Sequence, residues 1–413
     1  MTRIALVSLN YAPEEIGIGP YSTGLAEGLV ARGSAVEAIS GHAYYPRWKV
    51  FPQFAGKGWL QTSENGVQVW RCPHYVPAQP SGLKRTLHLL SFGLAAFRPA
   101  LRAAFRSRGE RPDLVICVVP ALFSVPSAWL LARLSGARLW IHVQDFEIEA
   151  AFATGLLKDG VLGRFARWVE KRLLRSADVV SSISPQMCRR LGALGCDPDR
   201  VVELRNWANA PGRDPDAGAY YRQLWGLEGK KVALYSGNIA NKQGIEIIVD
   251  VARHLAGRDD IVFVVCGEGP NRANLEQRAK GLTNIRFNDL QPAERLGQLL
   301  GLASVHLLPQ LQGAADLVLP SKLANMLASA RPVVATAEQG TALYDEVDGC
   351  GINTPPGDSV AMAAAIEKLL DDSVLYAQSC ETAVARSVSR WSYGGVMDQL
   401  EYQLSQRLLG PTP

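Results

Sequence analysis

One strand–helix–strand stretch decides the fold, and it consists of KVALYSG (231–237), GIEIIVDVARHLAG (244–257) and IVFVVCG (261–267). The two short apolar runs have the length of buried strands, and the amphipathic segment between them has the spacing of a helix. Buried strands that alternate with helices indicate a parallel sheet covered on both faces. The alternation continues through NRANLEQRAKG (271–281), NIRFNDL (284–290), PAERLGQLLGLAS (292–304), VHLLP (305–309) and RPVVAT (331–336).

The first half of the chain repeats this alternation. It contains several strand-like runs, and amphipathic segments such as PYSTGLAEGLVARG (20–33) lie between them. The strand-like runs are RIALVSL (3–9), SAVEAIS (34–40), DLVICVV (113–119), ARLWIHV (137–143) and ADVVSSIS (177–184). The sequence therefore predicts the α/β class with two doubly wound, Rossmann-like domains, and ligands are expected at the carboxyl ends of the strands.

The domain boundaries follow from a change in composition. Residues 206–221, NWANAPGRDPDAGAYY, are rich in Pro, Gly, Asp and Ala, which is typical of a linker. We predict a first domain at 1–208, a linker at 209–229 and a second domain at 230–390. The last segment, 391–413, is predicted to be a helix that packs back on the first domain. Two domains also suit the 413-residue length, at which one core rarely keeps growing.

The composition excludes several classes of protein. Hydrophobic residues at 47%, charged residues at 20% and a net charge of +4 describe a globular protein without the strong basic charge of a nucleic-acid-binding protein. The seven cysteines form no C-x-x-C pair, so neither a zinc site nor a disulfide framework is indicated, and a reducing compartment is expected. The N-terminus, MTRIALVSLNYAPEE, lacks the pattern of a signal peptide. The uncharged stretch 114–132 is interrupted by Pro120 and Pro126, which favours strand, turn and helix over a membrane span.

The loop after the first strand, NYAPEEIGIGPYS (10–22), contains Gly17 and Gly19. Position 22 is Ser, so G-x-G-x-x-G is not completed, which argues against a nicotinamide or flavin dinucleotide site. Two glycines before a helix still allow the backbone to approach an anion. The alternative interpretation is a simple tight turn.

Three strand ends of the second domain offer backbone amides or a lysine. They are SGNIANKQG (236–244) with Lys242, CGEGPN (266–271), and LPSKLANM (319–326) with Ser321 and Lys322. A cation at a helix start opposes the positive end of the helix dipole, and a bound anion would relieve this conflict. Neither lysine lies in a Walker A pattern. Together the three ends indicate a phosphate or diphosphate site, although each alone could be a solvated turn.

These motifs carry a resemblance to a known family. The chain resembles retaining glycosyltransferases of family 4 with the GT-B fold, and is most similar to the colanic-acid and exopolysaccharide type. Besides the loops above, the resemblance rests on YYPRW (44–48), IHVQDFE (141–147), ADVVSSISPQM (177–187), LRNWAN (204–209), YSGNIANKQGIE (235–246), CGEGPNR (266–272) and LPSKLANMLASARPVVA (319–335). It implies two sheets that face a cleft, a nucleotide-sugar donor (UDP- or GDP-linked) held mainly by the second domain, and an acceptor held by the first.

The resemblance also supplies candidate site residues. Lys242, Lys322, Asp145 and His142 are the candidates for catalysis: the lysines would stabilise the departing diphosphate, and Asp145 and His142 would orient the acceptor or the transferred sugar. His142 could equally be a satisfied core histidine. The candidates for donor binding are Gly17, Gly19, Gly237, Asn238, Gly267, Asp289, Leu290, Asp316, Ser321, Leu323 and Asn325.

Four positions depart from the family pattern. Many members have Arg where this chain has Asn238. They also have two glutamates separated by seven residues, where this chain has Leu317, with Asp316 beside it, and Asn325. Gln144 precedes Asp145 where a His or Arg is usual. The diphosphate charge is therefore expected to fall on Lys242 and Lys322.

The resemblance implies retention of the anomeric configuration, and the sequence offers no clear catalytic nucleophile. This combination favours a front-face mechanism, in which the leaving phosphate helps to deprotonate the acceptor hydroxyl. Preorganised cations and amides would then stabilise the developing charge. No metal is expected, because the D-P-D sequences at Asp197–Asp199 and Asp214–Asp216 have the composition of turns. A solvated loop is expected for Glu147 and Glu149.

The segment PSGLKRTLHLLSFGLAAFRPALRAAFRSRG (80–109) interleaves basic residues with Leu, Phe and Ala. Its basic residues are Lys84, Arg85, Arg98, Arg102, Arg106 and Arg108. Such a helix can lie in an anionic membrane surface, or it can simply pack on the core with a basic solvent face. Because enzymes of the resembled type usually act on polyprenyl-diphosphate-linked saccharides, we expect a cytoplasmic protein attached peripherally to the inner face of the cell membrane.

Two other functions remain open at this point. A non-hydrolysing UDP-sugar 2-epimerase shares the two-domain fold, but the sequence does not supply its catalytic carboxylate and His set. A catalytically inactive nucleotide-sugar-binding scaffold would fit Asn238 and the absent glutamates.

Overall fold

The computed structural model describes residues 1–153, 160–209, 216–239, 243–311 and 319–407. The chain divides into two compact units. The first unit comprises Met1–Arg205 together with Met397–Pro413, and the second comprises Asn206–Val396. Each unit is built around its own sheet, with helices on both faces.

The sheet of the first unit has eight strands in the order β3-β4-β2-β1-β5-β6-β7-β8. Their bounds are β1 Arg3–Ser8, β2 Ala35–Gly41, β3 Leu60–Glu64, β4 Val67–Cys72, β5 Leu114–Val119, β6 Arg138–Val143, β7 Val179–Ser182 and β8 Val201–Glu203. The helices are α1 Gly19–Ala31, α2 Gly82–Ala104, α3 Val125–Ser135, α4 Glu147–Ala153, α5 Val161–Leu174 and α6 Pro185–Ala193. All strands pair in parallel except β3, which is antiparallel to β4.

The β3–β4 hairpin is an addition to the predicted parallel sheet. Its turn is Asn65-Gly66, and both residues have positive φ, +48° and +83°. Two residues with positive φ form the type I′ turn, whose twist matches that of a hairpin. The Asn-Gly dipeptide was therefore a usable sequence signal, but the polar run LQTSE before it does not have the pattern of a buried strand.

One hydrophobic cluster of the first unit lies between the sheet and one layer of helices. Alternate residues of β5 and β6, such as Val115, Cys117, Leu139 and Ile141, join buried residues of α2, α3, α5 and α6 in one cluster. Alternate residues of a strand point to the same face, so these four helices cover the same face of the sheet. α2 packs closely because its inner side is mostly alanine. A Cβ on Gly93 would lie 2.3 Å from the carbonyl oxygen of Phe123, in the short turn that precedes α3.

The sheet of the second unit has six parallel strands in the order β11-β10-β9-β12-β13-β14. The strands are β9 Lys231–Ser236, β10 Ile261–Cys266, β11 Ile285–Asn288, β12 Val305–Leu308, β13 Val333–Thr336 and β14 Gly351–Thr354. The helices are α7 Ala219–Trp225, α8 Ile247–His254, α9 Arg272–Arg278, α10 Leu296–Leu302, α11 Lys322–Ala328, α12 Ala342–Val347, α13 Ser359–Asp371 and α14 Ser373–Trp391. The sequence pattern predicted most of these elements; α7 lies within the segment 209–229 that was interpreted as a linker.

The last helix, α15 Tyr393–Arg407, follows α14 after one residue. Within the first unit, Arg32 at the end of α1 pairs with Asp398 at 2.8 Å and with Glu401 at 3.3 Å. Among the described residues, no helix has both the length and the apolar character needed to cross a membrane.

Candidate functional site

The order of the second sheet creates a switch point between β9 and β12. From β9 the chain proceeds through β10 to β11 on one side, and from β12 through β13 to β14 on the other. In open α/β sheets, ligands bind at the carboxyl ends of the strands at such a point, because the flanking loops diverge and leave a crevice. The loops after β9, β10 and β12 therefore define the candidate donor site.

Two glycines allow the first two of these loops to touch. A Cβ on Gly267 would lie 1.9 Å from the carbonyl oxygen of Gly237, a contact that no side chain tolerates. The amide of Gly237 donates to the Cys266 carbonyl at 3.0 Å, and the amide of Ile239 donates to the Glu268 carbonyl at 2.8 Å. The loop after β9 is therefore held in place by the loop after β10. Both predicted glycines lie at the carboxyl ends of their strands, and Asn238, beside Gly237, is exposed.

Lys322, the first residue of α11, reaches this point from a different element. Its Nζ is buried and has no hydrogen-bond partner among the described residues. It lies 4.0 Å from the centre of the Tyr235 ring and would be 3.7 Å from a Cβ on Gly237. Burial lowers the pKa of the Lys322 amine to about 7. An ammonium group without an anionic partner is costly to bury, so this position favours a ligand that brings negative charge.

Tyr235 was not among the predicted site residues. It lies in β9, its ring supports the Lys322 ammonium by a cation–π contact, and its hydroxyl donates to the Asn238 carbonyl at 2.7 Å. Tyr235 thus joins the lysine to the glycine loop. Its only sequence signal was an aromatic residue with a polar tip inside an otherwise aliphatic strand.

The other candidates on α11 have different environments. Ser321 is exposed, and Leu323 is fully buried in the core, so only its backbone can contact a ligand. Asn325, at a position where family members carry a glutamate, accepts a hydrogen bond from the amide of Asn209 at 2.7 Å. The Asn325 side chain therefore holds a backbone segment of its own unit. The remaining candidates of this unit, Lys242 and Asp316, lie outside the described residues.

The loop after β11 carries Asp289 and Leu290, which are both exposed. Arg272 at the start of α9 donates to Asp289 Oδ1 at 2.6 Å and to the Gly267 carbonyl at 3.0 Å. It therefore links the loops after β10 and β11. Arg272 was quoted in the motif CGEGPNR, but no role was predicted for it.

In the first unit, the loop after β1 is organised by a buried carboxylate. Glu14 accepts hydrogen bonds from the Tyr44 amide at 2.8 Å, the Tyr45 amide at 3.0 Å and the Asn10 side chain at 2.8 Å. Burial raises the pKa of Glu14, and these three donors oppose that effect. No role was predicted for Glu14, because an acidic residue in a glycine-containing loop has no local pattern that indicates burial.

Both predicted glycines of this loop are required by their surroundings. Gly17 has a φ of +75°, and a Cβ on it would lie 3.2 Å from the Tyr45 ring. A Cβ on Gly19 would lie 2.8 Å from the Cβ of Glu14. The close turn is therefore a structural requirement of the loop, whatever its backbone amides bind.

Two predicted residues lie at the end of β6. His142 is buried, and its Nδ1 lies 2.8 Å from the hydroxyl of Ser181, which also accepts a hydrogen bond from the indole of Trp140 at 2.7 Å. Burial lowers the pKa of His142 to about 4, so the ring is neutral near pH 7. Because the Ser181 oxygen accepts from Trp140, its proton is free to be donated to Nδ1. Asp145, two residues after the strand, is exposed.

Glu147 and Glu149 differ from the expected solvated loop. They lie in the first turn of α4, where Glu147 Oε2 accepts a hydrogen bond from the Leu122 amide at 2.7 Å and Glu149 pairs with Arg190. Burial raises the pKa of Glu147 to about 6. The expectation of a solvated loop was wrong because the carboxylate satisfies the backbone of the turn after β5.

No group of three or more His, Cys, Asp or Glu side chains in the described ranges is arranged to hold a metal ion. Asp197 accepts a hydrogen bond from the Asp199 amide at 3.1 Å, which is the local bond of a turn. Asp216 begins the turn before α7, and Asp214 lies outside the described residues.

Comparison with known proteins gives the family of the chain. Residues 17–207 match the model of the glycosyl transferase 4-like domain, and residues 230–372 match that of glycosyl transferases group 1. The putative colanic acid biosynthesis glycosyl transferase WcaI of Escherichia coli (strain K12) is 39% identical over 382 residues, which cover 89% of this chain and 92% of the relative. The chain belongs to glycosyltransferase family 4.

A more distant relative of this glycosyltransferase is the alpha-D-kanosaminyltransferase of Streptomyces kanamyceticus. It is 28% identical over 282 residues, which cover 66% of this chain and 71% of the relative. Among solved structures, sucrose-phosphate synthase from Thermosynechococcus elongatus superposes with a TM-score of 0.71 at 18% identity, covering 98% of this chain and 99% of that one. HepE of Anabaena, solved with UDP and glucose, gives a TM-score of 0.69 at 15% identity, covering 98% and 100%. The predicted GT-B fold is thereby confirmed.

Proposed function

We propose that this glycosyltransferase moves a hexose from a UDP- or GDP-linked donor to a polyprenyl-diphosphate-linked saccharide during biosynthesis of a bacterial extracellular polysaccharide, with retention of configuration. The pathway is proposed from the relative named for colanic acid biosynthesis, which matches along most of its length. The nucleotide-sugar donor is proposed from the fold shared with HepE, whose structure holds UDP and glucose.

The buried amine of Lys322 is the observation that carries the donor assignment. It lies beside Gly237 at the switch point of the second sheet, with no anionic partner among the residues that the structure describes. A diphosphate at the carboxyl end of β9 would pair with this amine. The charge of the bound ligand would also remove the conflict between the lysine and the dipole of α11.

The proposed chemistry needs charge stabilisation more than a protein nucleophile. As the bond from the sugar to the diphosphate breaks, negative charge grows on the departing phosphate oxygen, and Lys322 with Lys242 would stabilise it. The acceptor hydroxyl transfers its proton to that phosphate as it attacks the same face of the sugar. Asp145 and His142 would position the acceptor or the sugar, and we propose that no metal ion takes part.

The test compares Lys322→Met with Lys280→Met, which changes an exposed lysine of the same unit. With a UDP- or GDP-sugar and a polyprenyl-diphosphate saccharide, we expect the first variant to lose turnover by about 10²- to 10³-fold and the second to behave as wild type. The anomeric configuration of the product is determined by NMR, and the assay is repeated with a chelator. If Lys322→Met turns over at the wild-type rate, the placement of the donor diphosphate beside Lys322 is wrong. A product with inverted anomeric configuration, or loss of activity with the chelator, would contradict the proposed mechanism.

Helix α2 supports the proposed attachment to the inner face of the cell membrane. Leu83, Leu87, Leu90 and Leu94 recur at alternating intervals of four and three residues and are exposed along one stripe. No Asp or Glu occurs between residues 82 and 109. A basic helix with an outward apolar stripe is suited to an anionic lipid surface.

Several arginines of α2 and of the segment just after it, however, already contact the protein. Arg98 lies 4.7 Å from the centre of the Trp59 ring, Arg102 lies 5.5 Å from that of Trp70, and Arg106 forms two hydrogen bonds with Glu37 at 2.7 and 2.8 Å. Arg85 likewise lies 5.3 Å from the centre of the Trp48 ring. The attraction to lipid proposed for α2 therefore depends more on its leucines, together with Lys84 near its start, than on all six basic residues.

A further inference from the structure

Helix α5 of the first unit has an unusual outer face. Val161, Leu162, Phe165 and Trp168 are exposed to 76%, 68%, 58% and 61%, whereas Gly163, Glu170 and Leu174 are buried against the unit. An ordinary surface helix buries its large apolar side chains and exposes its acids. In α5 the only acid is buried, and two aromatic rings lie on the outside.

Three of the four exposed apolar side chains, Val161, Phe165 and Trp168, fall on one face of the helix. At 100° per residue, Val161, Phe165, Trp168 and Arg172 lie within about 60° of one another. The Phe165 and Trp168 rings stack on each other, with centres 5.9 Å apart and an interplanar angle of 24°. Together they form an apolar surface at the N-terminal half of α5, with Trp at its edge.

Basic residues border this apolar surface. Arg164, Lys171, Arg172 and Arg175 are all exposed. The helix carries no exposed acid that could neutralise them. A second copy of the chain that docked through the same face would bring like charges together, whereas an anionic lipid headgroup layer complements them.

α5 and α2 lie on the same face of the first sheet, because buried residues of both helices join one core cluster. α3, which packs beside α2 on that face, exposes Trp129 to 41%. Helices α2, α3 and α5 therefore all cover one face of the sheet and expose apolar or aromatic side chains on their outer sides. A single planar partner could contact all three.

We propose that α5 is a second membrane-binding element, in which Phe165 and Trp168 insert into the interface of an anionic bilayer and the bordering arginines and lysine contact its headgroups. This inference rests on the proposed membrane attachment and adds to it a site distinct from α2. Trp favours the headgroup level of a bilayer because its ring is apolar and its N–H can still be hydrated.

The test measures cosedimentation of the full chain with vesicles of phosphatidylcholine and phosphatidylglycerol in equal parts, and with phosphatidylcholine alone. The variants are Phe165→Ser/Trp168→Ser on α5 and Leu87→Ser/Leu94→Ser on α2. The matched control is Val374→Ser/Val388→Ser, which changes two exposed apolar residues of the second unit. Thermal shift with UDP and GDP, and transfer to a water-soluble acceptor, report whether each variant keeps its fold and its chemistry.

We expect the α5 variant to bind the mixed vesicles at least about tenfold more weakly than wild type while its transfer to the soluble acceptor is unchanged. Equal binding by wild type and the α5 variant, with weaker binding by the α2 variant, would overturn the role of α5 and leave the proposed attachment standing. Absence of wild-type binding to mixed vesicles would overturn both.

Light scattering that shows a wild-type dimer and a monomeric α5 variant, with equal vesicle binding by both, would identify the face as a protein interface and overturn the proposal. A wild-type protein that binds the mixed vesicles but transfers no sugar would count against the proposed function and not against the membrane surface.

Discussion

At the scale of single residues, the buried amine of Lys322 is expected to weaken the ligand-free protein. The amine is buried beside Tyr235 without a hydrogen-bond acceptor among the described residues. An unsatisfied buried donor costs about 1 to 3 kcal/mol. We therefore expect Lys322→Met to raise the free energy of unfolding of the ligand-free protein by about that amount, measured by urea denaturation, while it weakens nucleotide binding.

The control for this change is Lys280→Met, which alters an exposed lysine and should leave both quantities unchanged. A residue that stabilises the fold would show the opposite sign in the ligand-free protein. If Lys322→Met destabilises the protein and leaves nucleotide affinity intact, Lys322 is a structural residue and the donor site lies elsewhere.

The same amine predicts a pH dependence. Burial lowers its pKa from an ordinary value of 10.5 to about 7, so the folded free protein binds fewer protons than the unfolded chain between these two values. The stability of the free protein should therefore rise with pH across this window. Binding of an anion requires the protonated amine, so nucleotide affinity should fall by up to about tenfold per pH unit above pH 7.

Isothermal titration calorimetry of UDP and GDP at several pH values, in buffers of different ionisation enthalpy, measures this dependence and the proton taken up on binding. Lys322→Met should abolish both. Affinity that is independent of pH from 7 to 9 in the wild type would contradict an anion contact at this amine.

At the scale of structural elements, the loop after β1 depends on one carboxylate. Glu14 accepts hydrogen bonds from two backbone amides and one side-chain amide of the described residues around it. Glu14→Ala would leave these buried donors unsatisfied and should lower the free energy of unfolding by about 2 to 4 kcal/mol. Glu15→Ala, at the exposed neighbouring position, should change it by less than about 0.5 kcal/mol. Equal effects of the two changes, measured by urea denaturation, would contradict this role.

The loops after β9 and β10 meet at a glycine for which no larger residue can substitute. A Cβ on Gly267 would lie 1.9 Å from the Gly237 carbonyl oxygen, and its φ is +151°. Gly267→Ala should therefore lower the free energy of unfolding by at least about 2 kcal/mol and weaken nucleotide binding, because the two loops must separate. Gly257→Ala, where a Cβ meets nothing within 4 Å, is the matched control for thermal denaturation and titration. A fully stable Gly267→Ala variant with weak binding would show that the strain is confined to the ligand site.

The sequence predicted elements better than contacts. The strands β1, β5, β9 and β10 were evident from their apolar runs, because burial on both faces requires apolar residues throughout. The position of Lys322 at a helix start was also evident. Its contact with Tyr235 was not, because that contact depends on β12 pairing with β9, and the order of parallel strands is not encoded in local spacing. The buried positions of Glu14 and Glu147 were not predicted for a related reason. The local sequence around a carboxylate that accepts hydrogen bonds from distant backbone amides does not differ from that around a solvent-exposed carboxylate.

At the scale of the whole molecule, each unit has its own sheet and its own core. The features that favour a diphosphate, namely Lys322, Tyr235, Gly237 and Gly267, all belong to the second unit. The outward apolar helices α2 and α5 belong to the first. We therefore infer that nucleotide recognition and membrane attachment are carried by different units and can be disabled separately.

Hydrogen exchange followed by mass spectrometry tests this separation. A saturating nucleotide at about 100 times its Kd adds about 2.7 kcal/mol to the stability of the state that binds it. Since the proposed contacts are with the loops after β9 and β10 and with the start of α11, UDP or GDP should protect peptides from these segments most strongly. Peptides from α2 and α5 should exchange as in the free protein, and Lys322→Met should remove the protection. Protection of α5 by nucleotide alone would contradict the division, since a helix that contacts only lipid has no reason to respond to a soluble anion.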